Sequence, residues 1–217
     1  MSRPAPRILL SVGDPNGIGP EIAVKAVAAL QDDLELNPVI VGDRFVVEHY
    51  AQATGLRIEE TDGTAPAEAG IIHLLAVDKL APTAFVPGQI SSDAGAATVA
   101  YLSAAVDCLR QGRARGIVAC PHSETAINAA GIAFSGYPNL LARLVEVESD
   151  RVFLMLIGAG MRIVHVTLHE RLADSLVRLT PDLVVAAGQA AATALRALGI
   201  ATPRIGVFGI NPHAGEN

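Results

Sequence analysis

Short apolar runs that end near glycine or proline alternate along this chain with longer amphipathic stretches. Strands and helices that alternate in this way build a parallel sheet covered by helices, so the sequence predicts a layered α/β fold. In the first part of the chain we predict strands at residues 8–12, 38–42, 71–75 and 116–120, and helices at residues 22–30, 44–54, from Ser91 or Ser92 to about 110, and 126–130.

The second part of the chain has fewer regular segments. Residues 152–157 and 162–168 are joined by a glycine-containing turn and predict a hairpin, and Thr180 is expected to cap a helix that ends at Gly199. We predict a last strand at residues 204–209. A buried strand followed by a ligand-type loop is a poor end for a domain, so we expect the chain to be part of a longer enzyme that continues beyond residue 217. We expect two α/β domains, at residues 1–115 and 116–217.

Composition excludes several classes of protein. The chain is 51 % hydrophobic and carries a net charge of −6, and its 16 basic residues form no stripe, so we expect no nucleic-acid partner. No window has the length and apolarity of a membrane helix, so we expect no membrane partner either. The two cysteines, Cys108 and Cys120, fit a reducing compartment. The first seven residues lack the apolar core of a signal peptide, so we expect none. We therefore expect a cytoplasmic protein with a small-molecule substrate.

Two histidines follow predicted strands, His169 after residues 162–168 and His213 after residues 204–209. Ligands of open α/β sheets bind outside the carboxyl ends of the strands, so this pair predicts a divalent-metal site. A catalytic metal commonly has about three protein ligands, and a third would have to come from elsewhere. The alternative is that each histidine is an ordinary hydrogen-bonded residue at a strand end. We expect His165, further back on the same strand, to pack or to support the site.

Three other segments allow both a functional and a structural interpretation. His122 and Ser123 follow the strand at 116–120, where they would face a substrate, although Ser123 could instead cap the next helix. Tyr137 could orient a ligand or be a half-buried aromatic residue. The glycine-rich segment 13–19 has neither standard phosphate-binding spacing, and a tight strand-to-helix turn is its structural interpretation.

Together these segments resemble the 4-hydroxythreonine-4-phosphate dehydrogenase family, which serves pyridoxal phosphate biosynthesis. The resemblance covers the whole chain and rests on residues 13–22, 128–132, 167–169 and 209–216. It implies a three-layer α/β/α fold like that of isocitrate and isopropylmalate dehydrogenases, with two domains. It also implies a homodimer whose active site lies at the subunit interface.

The resemblance further implies NAD and a divalent metal as cofactors. Zinc is the metal expected first, with magnesium, manganese, cobalt and iron as alternatives. The metal ligands of the family correspond to His169 and His213, while its third ligand lies in a later motif of the Y-H-D-Q type that this chain does not contain. The resemblance leaves the residues that contact NAD and the general base unassigned.

The chain departs from the biosynthetic enzymes at the substrate side. It reads Gly-Tyr-Pro-Asn at residues 136–139, where they have Gly-His-Thr-Glu, and Glu124 where they have lysine. Fewer cationic donors argue against a phosphorylated substrate.

Residues 120–127, 133–138 and 162–170 are instead similar to the branch of terephthalate cis-dihydrodiol dehydrogenases. That branch implies NAD-dependent oxidation of a dihydrodiol dicarboxylate, with decarboxylation to a catechol acid. We expect the substrate to contact His122, Ser123, Tyr137 and Pro138. The alternatives are a dehydrogenase of 4-hydroxythreonine 4-phosphate or a related phosphorylated hydroxy acid, and a truncated member without catalysis.

Overall fold

The computed structural model describes residues 6–33 and 35–211, which belong to two compact units, one up to Phe134 and one from Ser135. The first unit contains a five-stranded, entirely parallel sheet of strand order β3-β4-β2-β1-β5. The predicted α/β class is therefore confirmed. The strands are β1 (Arg7–Ser11), β2 (Asn37–Gly42), β3 (Arg57–Glu60), β4 (Ile71–Ala76) and β5 (Gly116–Ala119).

The helices of the first unit are α1 (Gly19–Ala29), α2 (Arg44–Ala51), α3 (Ser92–Arg110) and α4 (Glu124–Ala129), with a 3₁₀ turn at Pro82–Ala84. The connections through α1 and α2 lead across the sheet in one direction, and the connection through α3 leads back. Because such crossovers are right-handed, α1 and α2 cover one face of the sheet and α3 covers the other, where it contacts α4. The largest fully buried side chains include Leu9, Ile40, Ile72, Leu74 and Tyr101.

The second unit consists of α5 (Tyr137–Leu144), β6 (Leu154–Gly158), β7 (Met161–His165), α6 (Leu172–Arg178) and α7 (Pro181–Ala197), with a 3₁₀ turn at Ser149–Arg151. β6 and β7 pair antiparallel, which confirms the predicted hairpin. α7 begins after Thr180, whose hydroxyl accepts a hydrogen bond from the Leu183 amide at 3.2 Å, so the predicted cap is also confirmed.

The predicted strand at residues 204–209 is wrong. These residues form no regular element, and Phe208 is 95 % exposed. Ile205 and Val207 line an apolar groove of about 310 Å³ together with residues of β7 and α7. An apolar segment becomes a strand only beside another strand that satisfies its backbone groups, and no described strand pairs with this one.

The predicted domain boundary after residue 115 is not where the described chain divides. β5 begins at Gly116 and pairs with β1, with Gly116 opposite Ile8, so it belongs to the first sheet. The division into compact units falls after Phe134. Of the helices within residues 6–33 and 35–211, none has the length and apolarity needed to span a bilayer.

Two helix-interior glycines provide a matched test of this packing. A Cβ atom at Gly95 of α3 would clash with the backbone of Ala126 and Ile127 in α4, whereas nothing lies within 4 Å of the corresponding position at Gly188 in α7. We expect Gly95→Ala to lower the free energy of unfolding by about 1–3 kcal/mol through overpacking. Gly188→Ala should instead raise it by about 1 kcal/mol, because alanine favours the helix. Urea denaturation of both variants measures the difference, and changes of the same sign would contradict the close α3–α4 contact.

Candidate functional site

The loops that follow β1 and β5 meet at the carboxyl edge of the sheet. β1 and β5 are neighbours in the sheet, but the connection that leaves β1 and the connection that enters β5 lie on opposite faces of the sheet. The gap between the two loops is therefore the topological switch point, where α/β sheets bind ligands. The Cys120 amide donates to the Ser11 carbonyl at 2.9 Å, and the Asp14 amide donates to the Pro121 carbonyl at 3.0 Å. The two loops are therefore held together by backbone hydrogen bonds.

The glycines of the first loop are explained by this close packing. Gly13 has a φ of +71°, and a Cβ atom there would clash with the Pro121 carbonyl. A Cβ atom on Gly19, the first residue of α1, would clash with the Val12 carbonyl. The structure thus supports the interpretation of residues 13–19 as a tight turn.

Asp14 and His122 lie on the two loops that these backbone hydrogen bonds join. Asp14 is 6 % exposed, and its carboxylate accepts a hydrogen bond from the Asn16 amide at 2.9 Å. Burial raises the pKa of Asp14, although backbone hydrogen bonds and the nearby His122 act to lower it. The sequence analysis did not single out Asp14; its signal is an aspartate directly after the glycine that ends a buried strand.

His122 is half-buried and packs edge-on against the Phe134 ring, with the ring centroids 4.8 Å apart. Burial lowers the pKa of His122, while the Glu124 and Asp14 carboxylates act to raise it. His122 therefore has an apolar neighbour on one side and carboxylates close enough to influence its protonation.

Two further buried polar residues fix the surrounding loops. Asn16 donates through its side chain to the Ala84 carbonyl at 3.2 Å and accepts from the Val86 amide at 2.9 Å. Its own carbonyl accepts from the Gly88 amide at 2.7 Å. These three bonds tie the glycine-rich loop to the segment before α3.

Asp43 has the corresponding role after β2. It is 1 % exposed, and its carboxylate accepts hydrogen bonds from the Lys79 and Leu80 amides, each at 2.9 Å, and from the Tyr101 hydroxyl. Burial is the main cause of a raised pKa at Tyr101, followed by the hydrogen bond to Asp43, so the phenol stays a donor. Asp43 thus joins β2, the segment after β4 and α3.

Ser123 caps α4, since its hydroxyl accepts from the Ala126 amide at 3.2 Å. The structural alternative for this residue is therefore confirmed. A substrate contact by Ser123 stays a prediction.

In the second unit, His169 is exposed and lies beside a cavity of about 170 Å³. A Cβ atom on Gly136 would lie 3.9 Å from the His169 ring, so the segment before α5 lies against the imidazole. Among the side chains that line the cavity with His169 are those of Ser135, Asn139, Asp150, His165, Glu170 and Arg178.

The predicted substrate contacts of Tyr137 and Pro138 stay a prediction. Tyr137 and Pro138 form the half-buried first turn of α5, and the described lining contains Ser135 and Asn139 rather than these two residues. The Asn139 amide donates to the Ser135 hydroxyl at 2.6 Å.

Two of the lining residues form an ion pair. Arg178, the last residue of α6, contacts Glu170 at 2.8 Å, and the Glu170 side chain is only 17 % exposed. The pair ties the end of α6 to the loop that carries His169. Sequence analysis missed Arg178 because the cavity collects side chains from several distant segments.

Only one of the two predicted metal ligands lies among the described residues. His213 lies outside the described residues, and within residues 6–33 and 35–211 no three histidine, cysteine, aspartate or glutamate side chains gather as a metal would require. His169 is the one predicted ligand whose position is described. His165 is half-buried, and its Nδ1 atom has no hydrogen-bond partner among the described residues.

Comparison with known proteins identifies the family to which this fold belongs. The family profile of the pyridoxal phosphate biosynthetic protein PdxA matches residues 35–217. The chain is 45 % identical to the 1,2-dihydroxy-3,5-cyclohexadiene-1,4-dicarboxylate dehydrogenase of Comamonas sp over 97 % of its length, and 37 % identical to the 4-hydroxythreonine-4-phosphate dehydrogenase of Beijerinckia indica over 96 %. It spans 64 % of the first relative and 62 % of the second.

Solved structures agree. A terephthalate 1,2-cis-dihydrodiol dehydrogenase from Burkholderia xenovorans is 47 % identical, with a TM-score of 0.73, and the alignment covers 98 % of this chain and 64 % of that one. A 4-hydroxythreonine-4-phosphate dehydrogenase from Burkholderia phymatum is 32 % identical, with a TM-score of 0.82, and the alignment covers 99 % and 65 %. The chain thus has the fold of a group of dehydrogenases that differ in substrate.

Proposed function

Because the chain belongs to the PdxA family, whose relatives described above are named dehydrogenases, we propose that it oxidises a cis-dihydrodiol dicarboxylate of the terephthalate dihydrodiol type. The reaction uses NAD and continues with decarboxylation to a catechol acid. The observation that carries this proposal is the higher identity to the dihydrodiol dehydrogenases than to the 4-hydroxythreonine-4-phosphate dehydrogenases.

The polar side chains around the cavity beside His169 suit the hydroxyl groups of the proposed substrate. The described lining has one guanidinium, Arg178, and two carboxylates, Asp150 and Glu170, and the guanidinium is already paired with Glu170. Hydroxyl groups, which donate as well as accept, suit a lining of serine, asparagine and carboxylate side chains.

In this proposal His169 and His213 hold a divalent metal, with zinc expected first. The exposed position of His169 beside a polar cavity suits a ligand. Because the described residues contain no group of three metal-ligating side chains, at least one further ligand, such as His213, comes from outside them. A bound divalent ion lowers the pKa of a coordinated hydroxyl and stabilises an enolate. NAD, when bound, takes the hydride.

The remaining parts of the proposal follow from the family resemblance. His122, Ser123, Tyr137 and Pro138 contact the substrate, and the whole protein is a cytoplasmic homodimer with the isocitrate dehydrogenase-like, two-domain architecture. Its active site lies at the subunit interface.

Substrate preference tests the proposed function. We expect NADH formation with the dihydrodiol dicarboxylate to exceed that with 4-hydroxythreonine 4-phosphate or D-threonate 4-phosphate by at least about 100-fold in kcat/KM, since unpaired buried polar groups discriminate on this scale. NADH absorbance gives the rates, and chromatography identifies the catechol acid. Faster turnover of a phosphorylated substrate would contradict the proposal and identify the protein as a dehydrogenase of phosphorylated hydroxy acids. No turnover with any of them, together with no bound metal, would favour a non-catalytic family member.

A further inference from the structure

The loop that carries His169 is joined to the end of the following helix by an ion pair. Arg178, the last residue of α6, contacts Glu170 at 2.8 Å. We propose that Arg178 and Glu170 are positioning residues, which fix the turn at His169 and thereby set the affinity of its imidazole for a divalent metal. The inference rests on the proposed function, in which His169 is a metal ligand, and adds the residues that act through this ligand.

The turn at His169 is the first argument. The Glu170 amide donates to the Leu168 carbonyl at 3.0 Å, which closes a three-residue turn with His169 at its centre. Because this hydrogen bond spans His169, the backbone on its two sides moves as one small unit. A contact that fixes Glu170 therefore also fixes the base of the His169 side chain.

The weak packing of α6 is the second argument. None of its residues is buried, and the side chains of Leu172, Leu176 and Val177 are exposed. Most helices in proteins are stabilised by the packing of an apolar face rather than by their own propensity. The contact of Arg178 with Glu170 therefore supplies order that hydrophobic packing does not supply here.

The surroundings of the ion pair are the third argument. The Glu170 side chain is 17 % exposed, and water and salt screen partly buried charges less than exposed ones. Glu170, Arg178 and His169 all line the same cavity. The His169 ring also lies 3.9 Å from the position of a Cβ atom on Gly136, so the segment before α5 limits its movement. The imidazole is thus held by that segment and by the turn that the ion pair fixes.

Positioning and simple charge predict opposite effects on metal binding. A guanidinium near the site repels a divalent cation, so by charge alone the removal of Arg178 should strengthen metal binding. If Arg178 positions His169, its removal should weaken metal binding instead, because residues that orient a metal ligand commonly contribute to affinity. The direction of the change therefore separates the two roles.

The affinity of the whole chain for Zn²⁺ tests the inference. We expect Arg178→Met to raise the dissociation constant of Zn²⁺ by about 10–100-fold, the usual effect of losing a residue that orients a ligand. The ion pair uses one guanidinium nitrogen, so the single ammonium of Arg178→Lys should recover most of the affinity. Competition with a chromophoric chelator measures the constants. Unchanged or tighter Zn²⁺ binding by Arg178→Met would overturn the positioning role.

Arg171→Met is the matched control. Arg171 is exposed, lies in the same loop directly before α6, and carries the same charge only two residues from His169. Its replacement removes a cation near the site but leaves the ion pair of Glu170 with Arg178 in place. We expect Zn²⁺ to bind as tightly as in the wild type or more tightly. An equal loss of affinity in both methionine variants would overturn the inference, since the loss would then not depend on the ion pair.

Hydrogen exchange of the metal-free protein provides an independent readout. We expect the backbone amides of residues 168–171 to exchange several-fold faster in Arg178→Met than in the wild type. The urea midpoint should stay unchanged, because a partly exposed ion pair adds little to global stability. Equal exchange in the two proteins would overturn the ordering of the turn. A wild type that binds no Zn²⁺, or His169→Ala that binds it equally well, would instead overturn the proposed metal site.

Discussion

Replacement of His169 by alanine is expected to lower bound divalent metal by at least about tenfold and turnover by at least about 10²-fold. The reason is the proposed role of this imidazole as one of few protein ligands to the ion, whose electrostatic stabilisation acts on this scale. The side chain is exposed, so its loss should leave the fold intact. Metal content by mass spectrometry and NADH formation measure the two effects, and His213→Ala should give the same result.

The matched control for this experiment is His49→Ala. His49 is an exposed histidine of α2 in the first unit, so its removal tests whether the loss of any surface imidazole changes metal content. We expect metal content and turnover close to wild type. A His169→Ala protein that keeps both would show that the metal, if present, binds elsewhere.

Replacement of Asp43 by alanine is expected to lower the free energy of unfolding by about 3–5 kcal/mol. The substitution leaves the Lys79 and Leu80 amides and the Tyr101 hydroxyl without their acceptor, and each buried unsatisfied donor costs about 1–3 kcal/mol. Tyr101 is fully buried, so water cannot replace the lost partner without opening the core. Denaturation in urea, followed by circular dichroism, measures the change.

Two further variants test whether the lost hydrogen bonds cause the lower free energy of unfolding of Asp43→Ala. Tyr101→Phe removes only one donor and should cost less than Asp43→Ala. Asp78→Ala removes an exposed carboxylate from the same loop and should stay within about 0.5 kcal/mol of wild type. An Asp43→Ala protein as stable as Asp78→Ala would contradict the joining role of Asp43.

The elements that sequence alone predicted are those whose signals are local. The aliphatic run at residues 38–42 became β2, and the caps Ser91, Ser123 and Thr180 each accept the amide hydrogen bond expected of a helix start. Each depends on residues within a few positions of one another.

The failures have longer-range causes. β3 reads Arg-Ile-Glu-Glu and lies at the sheet edge, where burial imposes no apolar pattern, so it was missed. Residues 204–209 have a strand-like sequence without a described strand beside them. The described chain divides after Phe134 and not after residue 115, because β5 pairs with β1, and neither sequence shows which strand will be its neighbour.

The candidate site shows the same division. The sequence identified His122 and His169, since each follows an apolar run, but it could not show which side chains lie near them. The loop of Asp14 contacts the loop of His122 through a backbone hydrogen bond, and Arg178 lines the cavity from the end of α6. Such neighbours are set by tertiary structure alone.

The pairing of β1 with β5 also has a consequence for the order of events during synthesis. β1 leaves the ribosome early, but the strand that completes one of its sides begins only at Gly116. Until then the nascent polypeptide exposes the open hydrogen-bonding edge of β1, a template for misassociation. Closure of that edge is a late, long-range step, so translation speed and chaperone binding should influence the yield of folded protein more than local helix formation does.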